Sequence, residues 1–102
     1  DTLSSITRVQ MAKRVFFVAH GGVVQGVGFR YFARKRAEEY GITGWCRNTA
    51  DNKVEGEAQG DEDTLSKFLK DVDQGPRHAK VVQLTREDRD VIEGEASFSI
   101  RH

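Results

Sequence analysis

The sequence has one cysteine, no pair of histidines at ligand spacing, no excess of either charge and no long apolar run among its 102 residues. Each shortage removes a class of function. Cys46 alone cannot close an intramolecular disulfide, and with His20, His78 and His102 scattered along the chain it does not complete a metal site. Sixteen Lys and Arg balance sixteen Asp and Glu, whereas a protein that binds by neutralising phosphates carries a basic excess. A local basic patch stays open, because Lys13, Arg14, Arg30, Arg34, Lys35 and Arg36 all fall in the first third. No stretch of about 18 apolar residues could span a membrane, and no N-terminal apolar core is long enough for a signal peptide. The expectation is a cytoplasmic protein that partners neither nucleic acid nor membrane. The length fits one domain with a modest core. Residues 1–12 are polar and lack a clear period, so they read as an N-terminal extension, flexible or a remnant of expression, ahead of a domain over 13–102.

What is present alternates between strand and helix signals. "RVFFVAH" (Arg14 to His20) is β-branched and aromatic and stops at glycines, which predicts a strand. In "FRYFARKRAEEY", Phe29, Phe32, Ala33, Ala37 and Tyr40 fall on one helical face, and Gly41 closes the helix. "ITGWCRN" follows as a strand, with Ile42, Gly44, Cys46 and Asn48 on one face. "TADN" turns it into "KVEGEAQG", completing a hairpin. Asp61 is the expected N-cap of a helix whose stripe is Leu65, Phe68, Leu69 and Val72, stopped by Gly75 and Pro76. "AKVVQLTRE" and "ASFSIRH" read as the last strands, with Phe98 and Ile100 inward. Trp45 and Phe17 are expected to pack on the uncovered face of the sheet, Cys46 as a small buried apolar residue, and Arg86 to Asp90 as a solvated loop. This order predicts an α+β, ferredoxin-like βαββαβ sandwich, its antiparallel sheet covered on one face by two helices.

Between the first strand and the first helix lies "GGVVQGVGFR", Gly21 to Arg30, with four glycines and no acidic group. Peptide N–H groups in such a loop can turn inward as a nest, and the following helix N-terminus adds unpaired donors and a positive dipole end. Arg30, in the first helical turn, offers a planar fork that matches two phosphate or carboxylate oxygens. Spelling excludes two familiar loops. Gly21 and Gly26 stand at P-loop spacing, but Val27 and Gly28 follow where Lys and Ser or Thr are required; Gly26 and Gly28 begin a dinucleotide fingerprint that fails at Tyr31. The loop remains readable as an anion cradle or as a plain glycine-rich connection beside an exposed arginine. Asn48 remains readable as a turn former or as a polar group at the same end of the sheet.

"GVVQGVGFR" (Gly22 to Arg30) resembles the signature G-x-V-Q-G-V-x-F-R of the acylphosphatase family. "GITGWCRNTADNKVEGEAQG" (Gly41 to Gly60) is similar to that family's G-x-x-G-W-x-x-N-T segment and its hairpin, and "QGP" at Gln74 to Pro76 also fits. The resemblance covers roughly Arg14 to Ile100. It implies hydrolysis of the carboxyl–phosphate bond of acyl phosphates, with no cofactor and no metal. Carried over position by position, it implies catalytic roles for Arg30 and Asn48. Arg30 would bind the phosphoryl group with the loop residues Gly22, Val23, Val24, Gln25, Gly26, Val27 and Gly28, and Asn48 would position the attacking water. Inorganic phosphate would be product and inhibitor, and the protein a monomer. The sequence departs from the family at His20, at Val23, where a basic residue is common, and at Asp51–Asn52, which replaces an Asp-Gly turn.

The chemistry needs few groups. A carboxylate leaves without a general acid, and a loose phosphoryl transition state is served by positioning and electrostatic stabilisation. Two other readings compete. One is a carbamoyl-phosphate-handling acylphosphatase-like domain. The other is a non-catalytic ferredoxin-like RNA-binding module, whose strand corresponding to "KVEGEAQG" would carry stacking aromatics; here that strand has none.

Overall fold

A computed structural model describes residues 12–26 and 28–102; the expected extension up to Met11, and Val27 of the glycine loop, lie outside the described residues. Five strands and two helices follow in the order β1 (Ala12–His20), α1 (Phe29–Tyr40), β2 (Thr43–Asn48), β3 (Val54–Asp61), α2 (Glu62–Gln74), β4 (Gln83–Arg89) and β5 (Phe98–Arg101). The sheet order is β4-β1-β3-β2-β5. Four strands pair antiparallel, and β5 adds a parallel edge against β2, with Gly44 opposite Phe98. No helix among the described residues is long and apolar enough to cross a membrane.

Helical periodicity places Phe29, Ala33 and Ala37 of α1, and Leu65, Phe68, Leu69 and Val72 of α2, on one face of the sheet. They close over Val15, Phe17, Ala19, Cys46, Val54, Ala58 and Phe98. Phe68 sits between Phe17 and Phe98, with ring centroids 6.0 and 5.7 Å away. Phe17 is therefore a core residue, contrary to the expectation for the uncovered face. The run Val15 to Ala19 is apolar at both parities, so the strand alone does not say which parity faces the helices. Gly56, opposite Phe17 in the register, leaves the ring its space: a Cβ there would meet Phe17 Cζ at 2.9 Å and the carbonyl of Trp45.

Trp45 does lie on the uncovered face, only 8% exposed, beneath the guanidinium groups of Arg47 and Arg101 at 5.4 and 4.4 Å. Residues Arg86 to Arg89 are not a loop but part of edge strand β4, and the Arg89 guanidinium stacks over Phe16. Asp61 stands at the α2 N-cap without a side-chain bond; Thr64 Oγ1 donates to its carbonyl at 3.1 Å instead.

The chain must travel from β4 at one edge to β5 at the other. Four strand spacings make about 19 Å, and residues 90–97, drawn out, span that with slack. The crossing runs over the uncovered face and is fastened twice. Gln59 exchanges two 2.9 Å hydrogen bonds with the backbone of Ile92. The Arg14 guanidinium, 2% exposed, donates to Glu57 at 2.6 Å, to Gln59 at 3.1 Å and to both oxygens of Glu95 at 2.8 and 3.2 Å. Burial pushes the Glu95 carboxyl up, but hydrogen bonds from Arg14 and Thr43, with the positive charge of Arg14, more than offset this and hold it below its ordinary 4.5.

A carboxyl held low when folded stabilises the protein above its unfolded pKa and loses that contribution as the pH falls through the folded value. Urea unfolding followed stepwise from about pH 6 to about pH 3 should therefore show Glu95→Gln less stable than the parent at neutral pH but less steeply weakened by acid. Arg14→Ala, which leaves two carboxylates facing each other, should lose about 3 kcal/mol.

Candidate active site

β1 delivers the glycine loop at its C-terminal end, where β2 also finishes. Two backbone bonds hold the loop's entry: Val82 N donates to the His20 carbonyl at 2.8 Å, and Lys80 N to the Val23 carbonyl at 2.7 Å. The Val24 side chain is fully buried and pegs the loop to the core. Gly26 and Gly28 then adopt left-handed φ values of 76° and 74°, a region that glycine enters without a Cβ penalty. Gly28 is the N-cap of α1; it supplies no side-chain cap, and the first turn holds no acidic residue. The leading amides of α1 have no partner within the helix, and Phe32 N makes the first return bond, to the Gly28 carbonyl at 2.9 Å. Among the described residues, no backbone carbonyl or side chain takes up the amides of Gly22, Val24, Gln25, Gly26 or Gly28, while Val23 is engaged in its bridge to Lys80. The loop is a cluster of donors.

Gln25 faces the other way. Its Nε2 donates to the carbonyls of Thr49 at 2.9 Å and Lys53 at 2.8 Å, stitching the loop to the β2–β3 turn. That turn is itself cross-braced: Thr49 N donates to the Lys53 carbonyl, Lys53 N to Thr49 Oγ1, and Thr49 Oγ1 to Asp51. The hydrogen bond from Thr49 is the main cause holding the Asp51 carboxyl below its ordinary range. Asn52 takes φ 66°, the left-handed conformation a glycine would hold, which asparagine tolerates. The Asp-Asn spelling thus keeps the turn.

The result is a cavity of about 270 Å³ lined by Val24, Gly26, Gly28, Phe29, Arg30, Tyr31 and Asn48. Of the residues singled out in the sequence, it brings together Arg30, Asn48, Val24, Gly26 and Gly28. Gly22, Val23 and Gln25 are not in its lining, because Val23 is bridged to Lys80 and Gln25 is turned to the hairpin; Val27 is outside the described residues. Asn48 ends β2 at the parity of buried Gly44 and Cys46, which aims it at the helix-covered side. Cys46 Sγ contacts the Arg30 carbonyl at 3.8 Å, and burial pushes its thiol up to about 12.

Three features were not legible beforehand. Arg30 Nη1 donates to the Arg101 carbonyl at 3.4 Å and lies 3.2 Å from His102 Nδ1, which must accept because arginine has only donors. Nothing local links residues some seventy positions apart. The fastening by Gln25 is a second, hidden because its motif position names only the loop. Tyr31, in the lining yet 58% exposed, is the third; its place just after Arg30 was the available signal.

The acylphosphatase family profile matches residues 15–100. The chain is 43% identical over 90 residues to an acylphosphatase of Geobacillus kaustophilus, covering 88% of this chain and 95% of that one. The solved acylphosphatase of Coxiella burnetii superposes with a TM-score of 0.84 at 32% identity, over 92% of this chain and 97% of that one. That of Bacillus subtilis gives 0.80 at 36%, over 90% and 100%.

Gln25→Ala should release the loop from the hairpin. The expected result is a loss of about 2 kcal/mol in stability from two broken hydrogen bonds, with weaker binding of inorganic phosphate, read by denaturant titration and calorimetry. Unchanged phosphate binding would show that the loop holds its shape without the hairpin.

Proposed function

The chain belongs to the acylphosphatase family and hydrolyses the carboxyl–phosphate bond of acyl phosphates, and we propose that it does so in this cavity, by direct attack of water on phosphorus. The observation that carries the proposal is the meeting of Arg30, the uncommitted loop amides and Asn48 around one cavity of a size for a small anion.

Arg30 and the amides of Val24, Gly26 and Gly28, with the α1 N-terminus behind them, take the phosphoryl oxygens. Both observed contacts of Arg30 use Nη1, so Nη2 and Nε keep hydrogens for a two-point grip on the anion. As the transition state spreads charge over the equatorial oxygens, these fixed donors stabilise it without reorganising. Asn48 holds the water, accepting through its carbonyl and donating through its amide. The water oxygen bonds to phosphorus, the bridging P–O bond breaks, and its electron pair leaves on the carboxylate. The water's proton passes to a phosphate oxygen. No step calls for a general acid, because the leaving group is stable as an anion. The product phosphate, able to reoccupy the donors, acts as a competitive inhibitor of the protein, which we take to act as a monomer. The RNA-binding reading is disfavoured by the central strand β3, which turns Glu55, Glu57 and Gln59 to the uncovered face where bases would stack.

Two substitutions separate the roles. Arg30→Lys keeps a charge but loses the fork, and should weaken phosphate inhibition and turnover together. Asn48→Ala should lose about a hundredfold in kcat while inhibition by phosphate stays near the parent value. An equal fall in both for Asn48→Ala would make it an anion ligand rather than the water's holder.

Hydrolysis in oxygen-18 water identifies the bond broken. Label should enter phosphate and be absent from the carboxylate; label in the carboxylate would mean attack on the acyl carbon and would overturn the assignment of Asn48.

A further inference from the structure

Large apolar side chains exposed among the described residues are Tyr31, Val82, Val91 and Ile92, and of these Tyr31 alone lines the cavity that holds Arg30 and Asn48. Its placement follows from helix geometry. Side chains of a helix lean towards its N-terminus, so a ring on the third residue of α1 is carried back towards the loop. Arg34, one turn later, lays its guanidinium over the ring with Cζ 5.4 Å from the centroid, and Arg34 is in turn paired with Glu38 at 3.7 Å. The tyrosine is braced from the side of the following turn.

The cavity is small. About 270 Å³ falls just under the roughly 300–1,000 Å³ of sites that enclose drug-sized ligands. With the phosphoryl group held by Arg30 and the loop, an acyl group of more than a few atoms must leave over the rim, and Tyr31 adjoins Arg30 there. We propose that Tyr31 is a specificity residue: its ring is the platform on which the acyl group of the substrate lies, so that its removal costs more with an aromatic or comparably flat apolar acyl group than with acetyl phosphate. The proposal rests on the phosphoryl site described above.

The test compares kcat/KM for benzoyl phosphate and acetyl phosphate, with the inhibition constant of inorganic phosphate, in the parent, Tyr31→Ala and Tyr31→Phe. Loss of one aromatic contact should lower the benzoyl-to-acetyl ratio of Tyr31→Ala about fivefold, and Tyr31→Phe should keep it within about twofold. Phosphate inhibition should hold in both variants, since phosphate carries no acyl group. An unchanged ratio in Tyr31→Ala overturns the proposal. So does a parallel fall for both substrates with weaker phosphate inhibition, which is the mark of a structural role, and so does a phenylalanine variant as impaired as alanine, which would assign the effect to the hydroxyl. A parent protein that hydrolyses neither compound overturns the phosphoryl-site reading itself, and this one with it.

Discussion

The carboxamide of Gln25 makes one site out of two segments. Arg30 starts a helix and Asn48 ends a strand, and neither depends on the other for its local structure. The glycine loop that leads to Arg30 has little conformational preference of its own, because its glycines can occupy either half of φ space. By donating to the carbonyls of Thr49 and Lys53, Gln25 gives the loop the shape of the β2–β3 turn, which is rigid through its own bonds. Together with the backbone bonds at the loop's entry and buried Val24, Gln25 thereby fixes the distance between the loop amides and Asn48. Such reactions gain chiefly from geometry fixed beforehand.

The two faces of the sheet are stabilised by opposite means, and β1 takes part in both. Its Val15, Phe17 and Ala19 enter the apolar layer under the helices, while Arg14 is buried on the other side among Glu57, Gln59 and Glu95. A buried guanidinium is tolerable only with its hydrogens paired. Here the pairing comes from β3 and from the long crossing between β4 and β5, so the same contacts that satisfy the charge also fasten the crossing. β1 is thus held between two strands and between two layers, and it is the strand that presents the loop.

Much of this was legible in the chain, and the rest was hidden for identifiable reasons. Both helices were readable because their apolar residues repeat at helical spacing, and the β2–β3 hairpin because its polar and apolar residues alternate. β1 was readable as a strand but not in its facing, since Phe16 and Phe17 suit either side; Gly56 and Phe68, far along the sequence, decide it. The charged stretch at Arg86 looks solvated and is, yet it also pairs with β1, because an edge strand can hold charge on both faces. In the site, residue type and motif identified the glycine loop, Arg30 and Asn48 as candidates. The approach of Arg101 and His102 to Arg30 depends on β5 joining β2 in parallel, a tertiary fact that no local pattern encodes.

That parallel strand and its counterpart at the opposite edge have a bearing on how copies of the protein behave towards one another. A sheet edge offers unpaired N–H and C=O groups to any strand that comes alongside. Here β5 is four residues long and ends in arginine, while β4 closes with Arg86, Glu87, Asp88 and Arg89 in succession. A second copy finds at one edge too short a template, and at the other a run of four charged side chains of both signs that it would have to strip of water. Among the described residues, both edges of the sheet are in this way guarded against growing, chain by chain, into a fibre.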